Sequence, residues 1–284
     1  MAVLLVNDLS LYEYRGPFDV AKIYLAIGNV ERAYALYSDV KKKAPQYIDD
    51  VSTENGVQWN DVFEQAYDDY KNSPLTLHDT RIKDLKLLVY RSVLDGKPRE
   101  GSADEAELNY LAGLAQQPGV KRIAEIGFNA GMSSYAFLYA NPDATVVSFD
   151  LGEYDYGPPA KDIIDEEFPG RHELIFGDST KTVLEYHAAH PEEKFDLIFI
   201  DGGHDYETAR ADIRNMRKLA AENAIVVTDD LTPWLAWGEG PHRAWTEAIE
   251  WGVIEQDEIV KDGEVVDEIH PPGDRIYARG RYAK

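Results

Sequence analysis

The spacing of apolar residues changes near residue 120. From residue 122 to residue 228, short apolar runs of strand length alternate with segments whose apolar residues recur at helical spacing. The predicted strands cover residues 122–126, 145–149, 173–176, 196–200 and 224–228, and the predicted helices between them cover residues 132–140, 160–167, 180–189 and 206–219. Because the strand segments are apolar on both faces, they fit a parallel sheet with helices on either side.

Beyond residue 240 the pattern differs. The predicted elements are a helix over residues 241–251 and alternating apolar and polar segments over residues 253–260, 265–269 and 275–278. Such alternation, with a turn at Asp262-Gly263, is typical of antiparallel strands at a sheet edge. The predicted fold class is therefore α/β, a Rossmann-like doubly wound and mainly parallel sheet with antiparallel C-terminal strands.

Residues 1–100 lack a strand pattern of comparable strength, and we predict a helical N-terminal region there, followed by a second domain over residues 101–284. Helical spacing is found over residues 20–26, 30–40, 57–70 and 82–94. Asp79 or Thr80 is the predicted cap of the last of these helices, and Ser102 with Glu105 forms a capping-box pattern for the next one. The region serves either as a lid over a site in the second domain or as an oligomerisation surface.

Composition limits the class of protein. The chain has 284 residues, of which 44% are hydrophobic and 11% aromatic, as expected of a globular protein. It has no cysteine, which excludes disulfides, thiolate zinc sites and a cysteine nucleophile. The first ten residues hold a short apolar run without a basic leader, which predicts neither a signal peptide nor a membrane span. We expect a cytoplasmic protein without a membrane partner.

The net charge is −23, from 52 acidic and 29 basic residues. A protein that binds a phosphate backbone carries a basic face, whereas the clearest basic cluster here is Lys41-Lys42-Lys43. Nucleic acid is therefore not expected as a partner. A well-solvated surface accounts for the acidity, and adaptation to salt is the alternative.

One glycine-containing turn, in residues 121–134, carries the first chemical signal. The predicted strand ends before Gly127, and Gly131 precedes the next predicted helix. Glycine lets a ligand approach the bare backbone, and the helix that follows offers unpaired N–H groups. Glu125 would repel a pyrophosphate but suits a cationic amino group, which favours S-adenosylmethionine over a dinucleotide. An ordinary strand-to-helix turn is the structural alternative.

Acidic residues follow the second and third strands. In an open parallel sheet, ligands bind beyond the carboxyl ends of the strands. Asp150 follows Gly127 by 23 residues, a usual spacing for an acid that accepts both ribose hydroxyls. Asp178 is placed to accept from an adenine amino group, and capping of the next helix is an equally good explanation.

The fourth and fifth strands end in Asp201 and in Asp229-Asp230. Carboxylates at the tips of adjacent strands repel one another unless a cation lies among them. A hard divalent ion with oxygen ligands, most simply Mg²⁺, resolves this conflict, and a turn cap before Pro233 is the alternative role of the pair. His204 follows Asp201 by three residues. With an ordinary pKa of about 6.5 it suits removal of a proton from a hydroxyl, and a surface position is the alternative.

Residues 102–251 resemble the small-molecule O-methyltransferases related to catechol O-methyltransferase, and more closely the macrolide sugar O-methyltransferases of methyltransferase family 24. The segment AEIGFNAGMSS, residues 124–134, matches the first motif of the family, with Asn129 in place of the middle glycine of the commoner form. The resemblance implies a class I methyltransferase fold and S-adenosylmethionine as cofactor. The cofactor-binding residues that it implies are Glu125, Gly127, Phe128, Asn129, Gly131, Ser133, Asp150 and Asp178.

By the same resemblance, Asp201, Asp229 and Asp230 are the expected Mg²⁺ ligands, and His204 is the expected general base. The implied reaction is metal-dependent transfer of a methyl group from S-adenosylmethionine to a hydroxyl of a small molecule. A sugar or another vicinal diol of a natural product is the expected acceptor.

Three other interpretations stay open. A nicotinamide-dependent oxidoreductase would use the same glycine turn and Asp150, a non-catalytic scaffold would keep only the fold, and a metal-independent methyltransferase would act on nitrogen or carbon. None of these explains the carboxylates at the ends of the last two parallel strands.

The expected partners are a small-molecule acceptor and a second copy of the chain in a homo-oligomer. The residues expected at the mouth of the site are Trp234, Trp237 and His242, with core packing as the alternative for at least one tryptophan.

Overall fold

A computed structural model describes residues 17–22, 25, 30–45, 53–54, 57–72, 81–94 and 103–283. The chain divides into two compact units, Met1–Arg91 and Ser92–Lys284. The predicted caps Asp79 and Thr80 and the predicted cap Ser102 lie outside the described residues.

The first unit is mainly helical where it is described. Its elements are helix α1 (Val30–Lys43), the paired antiparallel strands β1 (Thr53–Glu54) and β2 (Val57–Gln58), helix α2 (Trp59–Asn72) and the beginning of helix α3 (Ile82–Leu94). Phe18, Tyr37 and Phe63 form its apolar core, with the rings of Tyr37 and Phe63 stacked 4.7 Å apart. The helix predicted from residue 57 begins at Trp59, because residues 57–58 pair with β1.

The second unit is built on an eight-stranded sheet with the order β5-β4-β3-β6-β7-β10-β8-β9. Its strands are β3 (Arg122–Ile126), β4 (Thr145–Asp150), β5 (His172–Phe176), β6 (Phe195–Ile200), β7 (Ala220–Thr228), β8 (Ile254–Lys261), β9 (Glu264–Val266) and β10 (Ile276–Tyr282). The first five strands are parallel, and β10 pairs antiparallel with both β7 and β8. The predicted α/β class and the antiparallel C-terminal strands are therefore confirmed.

Six helices are described in the second unit beyond α3: α4 (Glu105–Ala115), α5 (Met132–Ala140), α6 (Gly157–Glu167), α7 (Ser179–Ala189), α8 (Tyr206–Met216) and α9 (Glu239–Glu250). The cap of α4 differs from the prediction, because the side chain of Asp104 accepts from the Glu107 N–H at 2.9 Å. Glu105 is thus the first residue of the helix rather than the third position of a capping box.

The sheet reverses its direction of growth between β3 and β6. From β3 the chain adds β4 and β5 on one side, and then returns to add β6 and β7 on the other. The loops that follow β3 and β6 therefore diverge to opposite sides and leave a crevice at the carboxyl ends of the strands, which is where open α/β sheets bind ligands. No helix among the described residues has the length and apolar character needed to cross a bilayer.

Candidate active site

A cavity of about 820 Å³ lies at the carboxyl ends of the parallel strands. Most residues predicted for the site line it: Gly127, Phe128, Asn129, Ser133, Asp150, Asp178, Asp201, His204, Asp229 and Asp230. Glu125 and Gly131 do not line it. One cavity therefore joins the predicted cofactor residues to the predicted metal residues.

Gly127 lets two strand ends approach each other closely. Its φ is +97°, and a Cβ at this position would lie 1.7 Å from the backbone oxygen of Asp201. Only glycine fits such a contact. Gly131 has φ +72° and precedes α5, where a Cβ would lie 2.7 Å from the ring of Phe128. Gly131 thus shapes the turn at the start of α5, and its contact with a cofactor stays a prediction.

Glu125 is fully buried, and its carboxylate accepts hydrogen bonds from Ser133 at 2.7 Å, from Ser148 at 2.6 Å and from Ser134. Burial raises its pKa, although the three hydroxyls oppose that change. Because β3 is a central strand covered on both faces, a polar side chain on it must be satisfied inside the protein. Ser133 links Glu125 to the cavity. The contact between Glu125 and a cofactor amino group stays a prediction.

His172 joins this buried group, although no sequence pattern predicted a role for it. Its Nε2 lies 2.7 Å from the Ser148 hydroxyl, and its ring stacks on Phe128 with centroids 5.1 Å apart. Burial lowers the pKa of His172 to about 3, so its imidazole is neutral. The neutral ring supports Phe128 at the wall of the cavity.

Asp150 connects the glycine turn to the loop after β4. Its carboxylate accepts from the Asn129 N–H at 2.8 Å and from the Gly152 N–H at 2.7 Å. It lines the cavity at the end of β4, where the predicted ribose contact requires it.

Asp178 caps helix α7, which is the role that the sequence offered as the alternative to a contact with adenine. Its side chain accepts from the Thr180 N–H at 3.0 Å and pairs with Lys181 at 2.7 Å. Lys181 and Thr180 lower the pKa of Asp178 to about 2. Asp178 also lines the cavity, and its contact with adenine stays a prediction.

The residues after β6 and β7 form the acidic end of the cavity. Candidate ligand atoms of Asp201, His204 and Asp230 all lie within 4.8 Å of one another, and His204 Nε2 is 2.9 Å from Asp230 Oδ2. Burial and Asp229 together raise the pKa of Asp201 well above its ordinary value. Nitrogen and carboxylate oxygen donors in such a group fit a divalent cation.

Asp229 lines the same cavity and is an electrostatic neighbour of Asp201 and Asp230. Its side chain is buried, and burial and Asp230 raise its pKa to about 7. The predicted ligands Asp201, Asp229 and Asp230 and the predicted base His204 all line the same end of the cavity. Their separate roles stay predictions.

Residues 124–231 match the family model of methyltransferase family 24, which is described as a methyltransferase domain. The second unit thus carries a methyltransferase domain. The identification made from the first motif and the strand-end acids is thereby confirmed. No curated protein sequence matches the chain.

Solved structures of methyltransferases share the fold of the methyltransferase domain. TomG from Streptomyces achromogenes, solved with S-adenosylmethionine, gives a TM-score of 0.60 at 18% identity, covering 77% of this chain and 96% of that one. The Bacillus cereus O-methyltransferase, solved with S-adenosylhomocysteine, gives a TM-score of 0.58 at 19% identity, covering 76% of this chain and 97% of that one. The Podospora anserina methyltransferase PaMTH1 gives a TM-score of 0.59 at 19% identity, covering 80% of this chain and 97% of that one. At these identities the comparison establishes the fold.

Two charged residues of the methyltransferase domain were not predicted from the sequence. Glu107 on α4 is buried, and burial, Asp229 and Asp201 raise its pKa well above the ordinary value. Arg275 lines the cavity. Burial alone would lower the pKa of Arg275, but the carboxyl groups of Glu107 and Asp229 have the larger effect and raise it. The sequence did hold an indication that Glu107 is buried. Residues 107, 111 and 114 share one face of α4, and residues 111 and 114 are leucines.

The aromatic residues after β7 take different places. Trp237 lines the cavity of the methyltransferase domain and is 44% exposed. Trp234 donates its indole N–H to the Gly273 carbonyl at 2.9 Å and packs against the core. Neither Trp234 nor His242 lines the cavity, and burial lowers the pKa of His242.

Proposed function

We propose that the chain transfers a methyl group from S-adenosylmethionine to a hydroxyl of a small molecule, with help from a divalent cation. The observation that carries this proposal is the single cavity that joins the glycine turn and Asp150 to the group Asp201, His204 and Asp230. The structures of TomG and of the Bacillus cereus enzyme, which hold S-adenosylmethionine and S-adenosylhomocysteine, support this cofactor for the shared fold.

At the cofactor end, backbone and carboxylate do the binding. Gly127 leaves space beside the β3 terminus, and the N–H groups at the start of α5 face an approaching ligand. Asp150 accepts the two ribose hydroxyls while it holds the turn through Asn129. Ser133 and Phe128 complete the wall and are held from behind by Glu125 and His172.

At the acidic end, Asp201, Asp229 and Asp230 would hold a Mg²⁺ ion. A bound divalent cation supplies Lewis-acid assistance by lowering the pKa of an acceptor hydroxyl. His204 would take the proton at Nδ1, because Nε2 lies 2.9 Å from the Asp230 carboxylate and donates to it, a contact that orients the ring. The cavity would hold the hydroxyl in line with the sulfonium methyl, and positioning is a large part of the rate gain.

The acceptor that we propose is a sugar or another vicinal diol of a natural product, since a cation can contact two adjacent oxygens. TomG is described as acting in tomaymycin synthesis, which is consistent with a natural-product acceptor. An oxidoreductase function is not favoured, because the matched family is that of a methyltransferase domain. Cytoplasmic location, a homo-oligomeric state and the lid or oligomerisation role of the N-terminal region stay proposals.

Calorimetric titration tests the proposal directly. The purified protein is titrated with S-adenosylmethionine and separately with NAD, and the cofactor-loaded protein is then titrated with Mg²⁺. We expect S-adenosylmethionine to bind, NAD not to bind, and a Mg²⁺ site that is lost in Asp201→Ala but kept in Asp162→Ala, which alters an exposed aspartate on α6. Binding of NAD alone, or of neither ligand, would exclude the proposed cofactor.

A matched pair of acceptors tests the chemistry. Catechol and phenol differ by one hydroxyl, so a cation-assisted enzyme that needs adjacent oxygens should methylate the diol and not the phenol. Equal methylation of both compounds, unaffected by EDTA, would remove the cation from the mechanism.

A further inference from the structure

Another cavity, of about 290 Å³, lies between helices α8 and α9. Among the residues that the structure describes, it shares no lining residue with the larger cavity of the methyltransferase domain. Two of its lining residues, Arg210 and Arg214, belong to α8. The other lining residues are apolar: Ile213, Ala244, Ala248, Trp251 and Val253. We call this cavity the arginine groove.

The apolar floor of the arginine groove comes from small side chains on α9. Ala244 and Ala248 are buried and lie one helical turn apart, so they face α8 from the same side of α9. Because alanine carries a single methyl group, the two helices leave a space that larger side chains would fill. Trp251, the first residue after α9, lines the same space and is 58% exposed. Its ring offers a stacking surface beside the apolar floor.

Arg210 places a positive charge at this apolar space. Its guanidinium carbon lies 5.2 Å from the centroid of the Trp251 ring. Its Nε atom is buried and has no hydrogen-bond partner among the residues that the structure describes. The nearest acid to be paired with it is Glu207, whose carboxylate lies 3.8 Å from Nη1 of Arg210, longer than a hydrogen bond. The guanidinium therefore keeps donors for a ligand.

Arg214 lies one turn after Arg210 and is exposed. Within the described part of the chain it has neither a hydrogen bond nor an ion pair. Glu247 on α9 does not balance it, because that carboxylate accepts from Arg243 at 3.2 Å and from the Tyr206 hydroxyl. In a chain with a net charge of −23, two arginines beside an apolar floor favour an anionic ligand with an apolar body.

We propose that the arginine groove binds a small aromatic carboxylate. The ring of the ligand lies between Trp251 and the alanines of α9, and its carboxylate accepts hydrogen bonds from Arg210 and Arg214. Guanidinium groups suit this task, because their planar donors match the two oxygens of a carboxylate. Pockets for drug-sized ligands span about 300–1,000 Å³, so a cavity of about 290 Å³ favours a compound with one ring.

Benzoate is the probe, and the full chain labelled with 5-fluorotryptophan is the receptor. Fluorine NMR separates the signals of the five tryptophans. The Trp251 signal, identified by its loss in Trp251→Phe, reports on the arginine groove, and the Trp237 signal reports on the larger cavity. Benzamide is the matched ligand control, since it has nearly the same shape and no charge.

We expect benzoate to shift the Trp251 signal in a saturable way and benzamide to bind about tenfold or more weakly, because hydrogen bonds to charged groups are the stronger kind. Arg214→Gln should weaken benzoate binding by a similar factor. Lys218→Gln removes the same charge at an exposed position outside the arginine groove, so it should bind benzoate as the wild type does. The benzamide comparison uses the wild type and does not depend on the folding of a variant.

Three results would overturn the proposal. Equal affinity for benzoate and benzamide, or unchanged affinity in Arg214→Gln, would show that no carboxylate is recognised. A shift confined to the Trp237 signal would assign benzoate to the larger cavity. A dimer in sedimentation that Trp251→Ala dissociates would show that a second copy of the chain covers the arginine groove. None of these measurements involves S-adenosylmethionine, so they leave the proposed function untouched.

Discussion

The Nε2 atom of His204 lies 2.9 Å from Oδ2 of Asp230. The two residues come from the loops after β6 and β7, so the sheet and not the local sequence brings them together. A carboxylate at this distance fixes the orientation of the imidazole and stabilises its protonated form.

Replacement of His204 by alanine is expected to lower the turnover rate by about 10²-fold or more, because the acceptor hydroxyl loses its base. Affinity for S-adenosylmethionine should stay close to that of the wild type. Turnover and calorimetric affinity are measured together, with His190→Ala as the control at an exposed histidine. Loss of Mg²⁺ affinity in His204→Ala would instead identify His204 as a ligand, and unchanged turnover would remove it from catalysis.

Replacement of Gly127 by alanine is expected to abolish measurable cofactor binding and to lower the unfolding temperature. The added Cβ would lie 1.7 Å from the Asp201 backbone oxygen, so the ends of β3 and β6 must separate. Gly113→Ala is the control, since a Cβ added at Gly113 would have nothing within 4 Å and alanine in a helix stabilises by about 0.5–1 kcal/mol. Normal cofactor affinity in Gly127→Ala would show that the turn tolerates rearrangement.

Asp212 on α8 gives the folded state a pH dependence. The residue is fully buried, and burial raises its pKa to about 7 from an ordinary value near 3.8. Between about pH 4 and pH 7 the folded protein therefore holds a proton that the unfolded chain has lost. Stability falls as the pH rises through this window, and the full penalty above pH 7 is about 4 kcal/mol.

The variant Asp212→Asn removes the charged form, so it should be more stable than the wild type at pH 8 and show a smaller loss of stability between pH 5 and pH 8. Urea unfolding at both pH values measures the difference. Asp162→Asn, at an exposed position, should keep the pH dependence of the wild type. If Asp212→Asn and the wild type lose the same stability between pH 5 and pH 8, Asp212 is already ionised at low pH, with a partner such as Ser179 stabilising its charge.

Trp237 is expected to contact the acceptor, because its partly exposed ring lines the same cavity as His204. In Trp237→Ala we expect KM for the acceptor to rise about tenfold, as loss of an aromatic contact typically costs about 1 kcal/mol or more, while cofactor affinity is unchanged. Trp251 is a matched control, since it is 58% exposed and does not line this cavity. An unchanged KM would place Trp237 outside the acceptor site.

The sequence determined the elements that depend on local interactions. The bounds of β3 and α5 agree with the prediction to the residue, and the other parallel strands differ by at most four residues at one end. Buried parallel strands are short apolar runs, and the turn at Gly127 requires glycine, so both features can be recognised in the sequence. The family resemblance added Asp150, Asp201 and His204, which all line one cavity.

Tertiary structure alone decided which acids face the cavity and which face the interior. Glu125 and Glu107 are both glutamates in apolar surroundings, yet three serines satisfy Glu125 while Glu107 meets Asp229 from a helix more than a hundred positions earlier in the chain. The meeting of Asp201, His204 and Asp230 likewise depends on the pairing of β6 with β7. Burial and charge at these positions come from residues distant in sequence, and no local pattern encodes such contacts.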